Sequence, residues 1–194
     1  LRARQRKLYD FCLALRRKDA VIDQVGSGRP FLHVSGMYGA QRGFLAVVWP
    51  LAPHPSNRNE LVVWDLAHDP LELLDLDTEA IRTRLFTRQD ELPEGVPRLP
   101  VKTVHLNRSP VVIGKLETLS EGRAAHWGLD LAVVRANAER AARHATALAT
   151  PWAEVYARAG ETERERADVD CALYDGLVRD PDRRRLDEMR SLAP

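Results

Sequence analysis

The chain has 194 residues, 44% hydrophobic and 29% charged, enough for one buried core with a soluble surface, alone or followed by a helical extension. A formal net charge of +1 argues against the global basic footprint of a nucleic-acid-coating protein. Two distant cysteines, Cys12 and Cys171, argue against a disulfide framework and fit a reducing cytoplasm; no apolar run is long enough to span a bilayer, and no secretory pattern opens the chain.

The first stretch is locally basic. Residues 1–18 hold Arg2, Arg4, Arg6, Lys7, Arg16, Arg17 and Lys18 against Asp10 alone, a pattern that suits a solvated helix face or a polyanion contact. Leu8, Phe11, Cys12, Leu15, Ile22 and Val25 recur at helical spacing and predict one helix of about 20 residues, ended by Gly26, Gly28 and Pro30. Leu1 falls inside a helical pattern and is not methionine, so the chain reads as cut from a longer protein. Runs rich in branched and aromatic residues then predict strands over 31–37, 44–51, 60–66, 101–106 and 110–113. Between them, 78–87 is expected to be a helix capped by Asp77. From about residue 120 the chain turns helical, with Asp130 as cap of 131–148, Thr150-Pro151 as a helix start, and Asp180-Pro181 as another. The mixed-charge stretch 161–168 reads as a loop or linker. The fold class expected is α+β, a small, strongly bent sheet or barrel followed by helices.

Catalytic chemistry is hard to find. A two-metal nuclease needs several carboxylates converging on divalent ions, yet no predicted strand carries an Asp-x-Glu pair, and Asp65, Asp69, Glu72, Asp75 and Asp77 read as turn and cap residues. The six histidines show no metal-ligand spacing, and His33 and His105 read as structural residues in strands. Binding groups are easier to place. Arg98, Lys102, Asn107 and Arg108 lie on or beside one strand, Asn57, Arg58 and Asn59 lie on a loop, and Tyr174 has the ring to stack on an unpaired base.

Three segments in order resemble the bacterial exodeoxyribonuclease I family: 32–43 (LHVSGMYGAQRG) with 50–59 (PLAPHPSNRN) and Asp65, then 100–111 (PVKTVHLNRSPV), then 169–176 (VDCALYDG). Residues 8–11 (LYDF) and Thr118-Leu119 extend the resemblance over essentially the whole chain. The family pattern implies an N-terminal DEDD-type exonuclease domain that would lie before Leu1, an SH3-like small β-barrel with inserted helices, and a helical C-terminal domain. Residues 1–23 would be the last helix of the exonuclease domain, 24–155 the SH3-like domain, and 156–194 the start of the helical domain.

That resemblance implies an accessory, single-stranded-DNA-clamping part of a processive 3′→5′ exonuclease of DNA repair and recombination. Its Mg²⁺ would sit in the absent nuclease domain, leaving this chain inactive by itself. Carried over residue by residue, the implied DNA contacts are Lys18, Asn59, Lys102, Asn107, Asp170 and Tyr174. Leu177 stands where the family can have an aromatic residue. Asp170 is also a natural helix N-cap. The family further implies a partner, the acidic tail of single-stranded DNA-binding protein, with Phe11 as an aromatic wall and Arg29 as a basic ridge. The family's clasping arginine falls at Ser120 and a glutamine near Gly114 or Lys115, with Lys115 and Arg123 as possible substitutes. A cytoplasmic monomer that contacts its own nuclease domain is expected, as is the alternative of a pure protein-interaction module or a non-binding scaffold.

Overall fold

The computed structural model describes residues 2–26, 28–157 and 180–191. The chain divides into two compact units, 1–157 and 158–194. Among the described residues, five strands form one antiparallel sheet: β1 (Phe31–Val34), β2 (Leu45–Pro53), β3 (Glu60–Asp65), β4 (Val101–His105) and β5 (Val111–Ile113). Their order is β4-β3-β2-β1-β5, curled into a half-barrel whose two edges, β4 and β5, do not pair with each other. The expected SH3-like sheet with inserted helices is therefore present, open along one seam.

Strand composition explains this order. Most of β2 is buried on both faces, which is why it reads as a near-continuous apolar run and takes the central position. Trp49 pairs directly with Trp64 of β3, and the register slips between Pro50 and Ala52. A proline cannot donate to the ladder, so a bulge is where a central strand can hold one. One face of the sheet carries Val47, Trp49, Val62, Trp64 and Val101, packed under Val134, Ala141, Leu148 and Trp152 from the later helices. The other carries Phe31, Ala46, Val48, Val63, Val104 and Val112, closed by Val21 and Val25 from the N-terminal helices.

The helices of the first unit are α1 (Arg6–Ala14), α2 (Lys18–Val25), α3 (Thr78–Phe86), α4 (Glu121–His126), α5 (Leu131–Arg143), α6 (Ala145–Ala149) and α7 (Trp152–Val155). Asp77 caps α3 through the Ala80 amide at 2.8 Å, and Asp130 caps α5 through Ala132 and Val133 at 2.8 and 3.2 Å. Val134, Asn137 and Ala141 form the buried stripe of α5. Asn137 is satisfied there, donating to the Leu66 carbonyl at 3.0 Å and accepting from Arg140 at 3.1 Å.

Three expectations about helices need correction. The single N-terminal helix is two, broken at 15–17, where Arg17 is extended. The break lets α2 bury Val21 and Val25 while α1 buries no residue, so apolar spacing alone did not reveal it. The helix over 131–148 breaks at His144, whose φ/ψ of −112°/18° lies outside the helical range. Thr150 is no N-cap: its backbone is already helical, and its hydroxyl donates back to the Thr146 carbonyl at 2.8 Å. In the second unit, α8 spans Asp180–Ser191, starting at the expected Asp180-Pro181.

Candidate nucleic-acid interface

The turn between β2 and β3 is built from its own side chains. His54 N–H donates to the Glu60 carbonyl at 2.9 Å, closing the loop, while Asn57 Oδ1 accepts from the Asn59 amide at 3.0 Å. Asn57 Nδ2 donates to Glu60 Oε1 at 2.6 Å, and His105 Nδ1 lies 3.2 Å from the same oxygen. The carboxylate of Glu60 thus ties the turn to the end of β4.

Asn59 is fixed by this turn and met by Lys18 from the start of α2. Lys18 Nζ donates to Asn59 Oδ1 at 2.6 Å and to the Arg58 carbonyl at 3.4 Å. An amide whose oxygen is occupied by an ammonium presents its NH₂ as the remaining group, and Lys18 keeps further N–H capacity. The pair therefore offers donors to an acceptor-rich ligand such as a phosphodiester. Asn107 adjoins them: the Leu106 amide donates to the Asn59 carbonyl at 2.7 Å, and Asn107 is the exposed residue that follows.

Lys102 sits further along the edge. It pairs with Val63, four residues beyond Asn59 and hence about 13 Å away at ordinary strand rise. That is too far to share one phosphate. Strand alternation puts Lys102 on the face of Val104, which packs with the α2 residues Val21 and Val25. Lys18 and Lys102 therefore belong to the same side of the sheet. Among the described residues, Lys102 and Arg108 form no ion pair, whereas Arg42, Arg84 and Arg140 each hold a carboxylate at 2.6–2.7 Å.

Several motif residues turn inward instead. Arg42 grips the buried Asp65 with two bonds, 2.6 and 3.2 Å, and Asp65 Oδ1 also accepts from the Ala67 amide at 3.1 Å. Tyr38 lies beside this pair, its ring 5.9 Å from the Arg42 guanidinium, and its hydroxyl is 3.0 Å from His33 Nδ1. Burial pushes His33 down to about 4, so it is neutral at physiological pH. Burial, reinforced by the charge of Asp65, pushes the Tyr38 phenol up, keeping it protonated. This buried set anchors the 35–44 loop to the barrel.

Of the residues assigned to an acidic-tail site, Phe11 is half-buried against the core face that includes Leu15 and Val21. Arg29 is exposed and folds back to donate to the Asp23 carbonyl at 2.9 Å. Gly114 has no room for a side chain, because a Cβ there would collide with the Gln24 carbonyl. Ser120, Lys115 and Arg123 are all exposed. Asp170, Tyr174 and Leu177 lie outside the described residues. Sequence reasoning missed the Lys18–Asn59 bond and the role of Glu60; residues 41 apart in the chain leave no periodic trace of such a contact.

Among the described residues no three His, Cys, Asp or Glu side chains are grouped to hold a metal ion, and no helix is long and apolar enough to cross a membrane.

Comparison with known proteins gives this geometry its context. Exodeoxyribonuclease I of Escherichia coli K12 is 36% identical over an alignment of 193 residues that covers 94% of this chain and 38% of that protein. The Haemophilus influenzae exodeoxyribonuclease I is 32% identical, over 99% of this chain and 41% of its own length. The chain thus spans about two fifths of the curated relatives it matches. Among solved structures, exonuclease I from Methylocaldum szegediense superposes with a TM-score of 0.79 at 39% identity, covering 100% of this chain and 40% of that one. Exonuclease I of E. coli in complex with a dA16 oligonucleotide superposes with a TM-score of 0.80 at 32% identity, again over 100% of this chain and 41% of that one. The family model of the exonuclease I SH3-like domain matches residues 16–158, and the chain belongs to that family.

Proposed function

We propose that this chain is an accessory single-stranded-DNA-clamping part of an exodeoxyribonuclease I, a processive 3′→5′ enzyme that releases mononucleotides in cytoplasmic DNA repair and recombination. The observation that carries this reading is the Lys18–Asn59 pair at 2.6 Å beside exposed Asn107, with Lys102, which has no ion pair among the described residues, on the same side of the sheet. Lysine supplies charge to phosphate and the amides fix register. Residues 1–23 would lead out of the nuclease domain, 24–155 form the SH3-like domain and 156–194 open the helical domain, with Asp170, Tyr174 and Leu177 adding contacts. The nuclease domain would carry the Mg²⁺; the described residues of this chain do not fit such an ion, and no step through it is assigned to them.

The test is fluorescence anisotropy of a labelled oligothymidylate at low salt, comparing the parent chain with Lys102→Glu. Binding by the parent that falls with salt, and its loss in the variant, supports the clamp. No binding by either makes the chain a brace for its nuclease domain.

A second reading is favoured by one observation. An apolar groove of about 580 Å³, lined by Gly26, Gly28, Trp49, Pro50, Leu51 and Leu61 among others, opens beside the loop that carries Arg29. Such a groove next to a cation suits the acidic tail of single-stranded DNA-binding protein, although Phe11 does not line it. Under this reading Arg29→Glu abolishes tail-peptide binding and leaves oligothymidylate binding intact.

A further inference from the structure

The open seam of the half-barrel contains a cleft of about 260 Å³, with mixed polar and apolar walls, that Lys18, Asn59, Lys102 and Asn107 do not line. Its walls come from both sides of the seam: Thr103 and His105 of β4, His33 and Ser35 at the end of β1, and Arg108 and Ser109 of the β4–β5 connection. We propose that this cleft is a phosphodiester subsite, with Arg108 as its cation, that seats one further phosphate of a bound single strand beside Asn107. The proposal rests on the single-stranded-DNA reading above and deepens it.

Four features point to an anionic, acceptor-rich occupant. Arg108 is exposed and holds no carboxylate among the described residues, so its guanidinium remains available for bidentate phosphate contact. Ser35, Thr103 and Ser109 line the cleft, and a hydroxyl can donate to phosphate without sequence preference; Ser35 Oγ accepts from the Met37 amide at 3.3 Å, which leaves its O–H to donate. β4 is an edge strand, so part of its backbone N–H row lacks a ladder partner and faces outward. Finally, Ser109 holds a left-handed φ of 50°, and Phe44, whose carbonyl accepts from the Ser35 amide at 2.9 Å, has a φ of 58°. Among the described residues these are the non-glycine positions with positive φ; Ser109 lines the cleft, and Phe44 is bonded to Ser35 of its wall. Backbone held in a sparsely populated region next to a concave polar site is the kind of arrangement that aims groups at a ligand.

No carboxylate lines the cleft. Glu60, 3.2 Å from the wall residue His105, is already bonded to Asn57, and His33 is bonded to Tyr38. A phosphate in the cleft would therefore meet Arg108 and the hydroxyl-bearing residues, beside apolar walls from Val34, Met37, Pro110 and Val111.

The experiment titrates the full 194-residue chain with labelled oligothymidylate across a salt series, for the parent, Lys102→Glu, Arg108→Gln and Arg143→Gln. Arg143 is an exposed α5 residue outside the proposed interface and controls for total charge. The expected result is that Arg108→Gln weakens binding about five- to tenfold and lowers the slope of log K against log salt by about 0.7, as for one lost single-strand phosphate contact, while Arg143→Gln does neither. An oligonucleotide of the same length with abasic sites should show the same dependence on Arg108. Circular dichroism melts of each variant check that the fold is kept. If the parent and Arg108→Gln bind alike while Lys102→Glu does not bind, the subsite is refuted and the clamp survives. If the parent does not bind at all, the DNA reading fails and the subsite fails with it. If the effect of Arg108 vanishes on the abasic strand, the group contacts a base, and the phosphate assignment is overturned.

Discussion

Replacing Asp65 by asparagine keeps the shape of the side chain and removes its charge. Arg42 then loses the carboxylate it holds at 2.6 and 3.2 Å, in a site where Asp65 is only 6% exposed and Arg42 23%. Breaking a fully buried pair costs about 3–5 kcal/mol, and the partial exposure of Arg42 lowers the expectation to about 2–3 kcal/mol. For a unit of this size that is a fall of about 5–10 °C in melting temperature, or roughly a 1 M shift in the urea midpoint. The buried residues Trp49, Trp64 and Trp152 provide a fluorescence signal for unfolding. The double variant Arg42→Met, Asp65→Leu should recover most of the loss, because it removes the unpaired charge along with its partner. A midpoint shift below about 0.3 M for Asp65→Asn would refute the claim that this ion pair anchors the 35–44 loop.

The neutral, buried His33 makes a second prediction. Its folded value, pushed down to about 4, lies below the roughly 6.5 of an unfolded chain, so the unfolded state takes up the proton first as pH falls. Stability should be full above about pH 6.5 and lose about 3 kcal/mol by about pH 4 from this group; urea midpoints against pH should fall less steeply for His33→Gln, and parallel curves would contradict the assignment. Removing the α5 cap with Asp130→Ala should cost about 1 kcal/mol in the same unfolding assay, with no change if the two bonds to Ala132 and Val133 are immaterial. Gly43→Ala should destabilise by more than about 1 kcal/mol, since φ is +58° and the new Cβ would come within 2.6 Å of the Trp127 ring; an unchanged melt would mean that the indole moves aside freely.

Much of the architecture follows from local pattern. Alternating and continuous apolar runs, separated by proline, glycine and asparagine clusters, mark the strands, and Asp77 and Asp130 mark two helix starts, because these signals act over a few residues of chain. The motif segments also announce the family. Their residues nevertheless divide into two kinds that look alike in sequence. His33, Tyr38, Arg42 and Asp65 are consumed in a buried network, while Lys18, Asn59, Lys102, Asn107 and Arg108 remain at the surface or half-buried. Composition and spacing determined that the chain folds as a bent sheet with helices and where most of its elements lie. Only the tertiary structure decided that α1 and α2 separate at 15–17, that Lys18 meets Asn59 across 41 positions, and that the barrel stays open between β4 and β5. Those outcomes depend on which distant surfaces are buried against one another, and a contact between remote residues leaves no local periodicity to read.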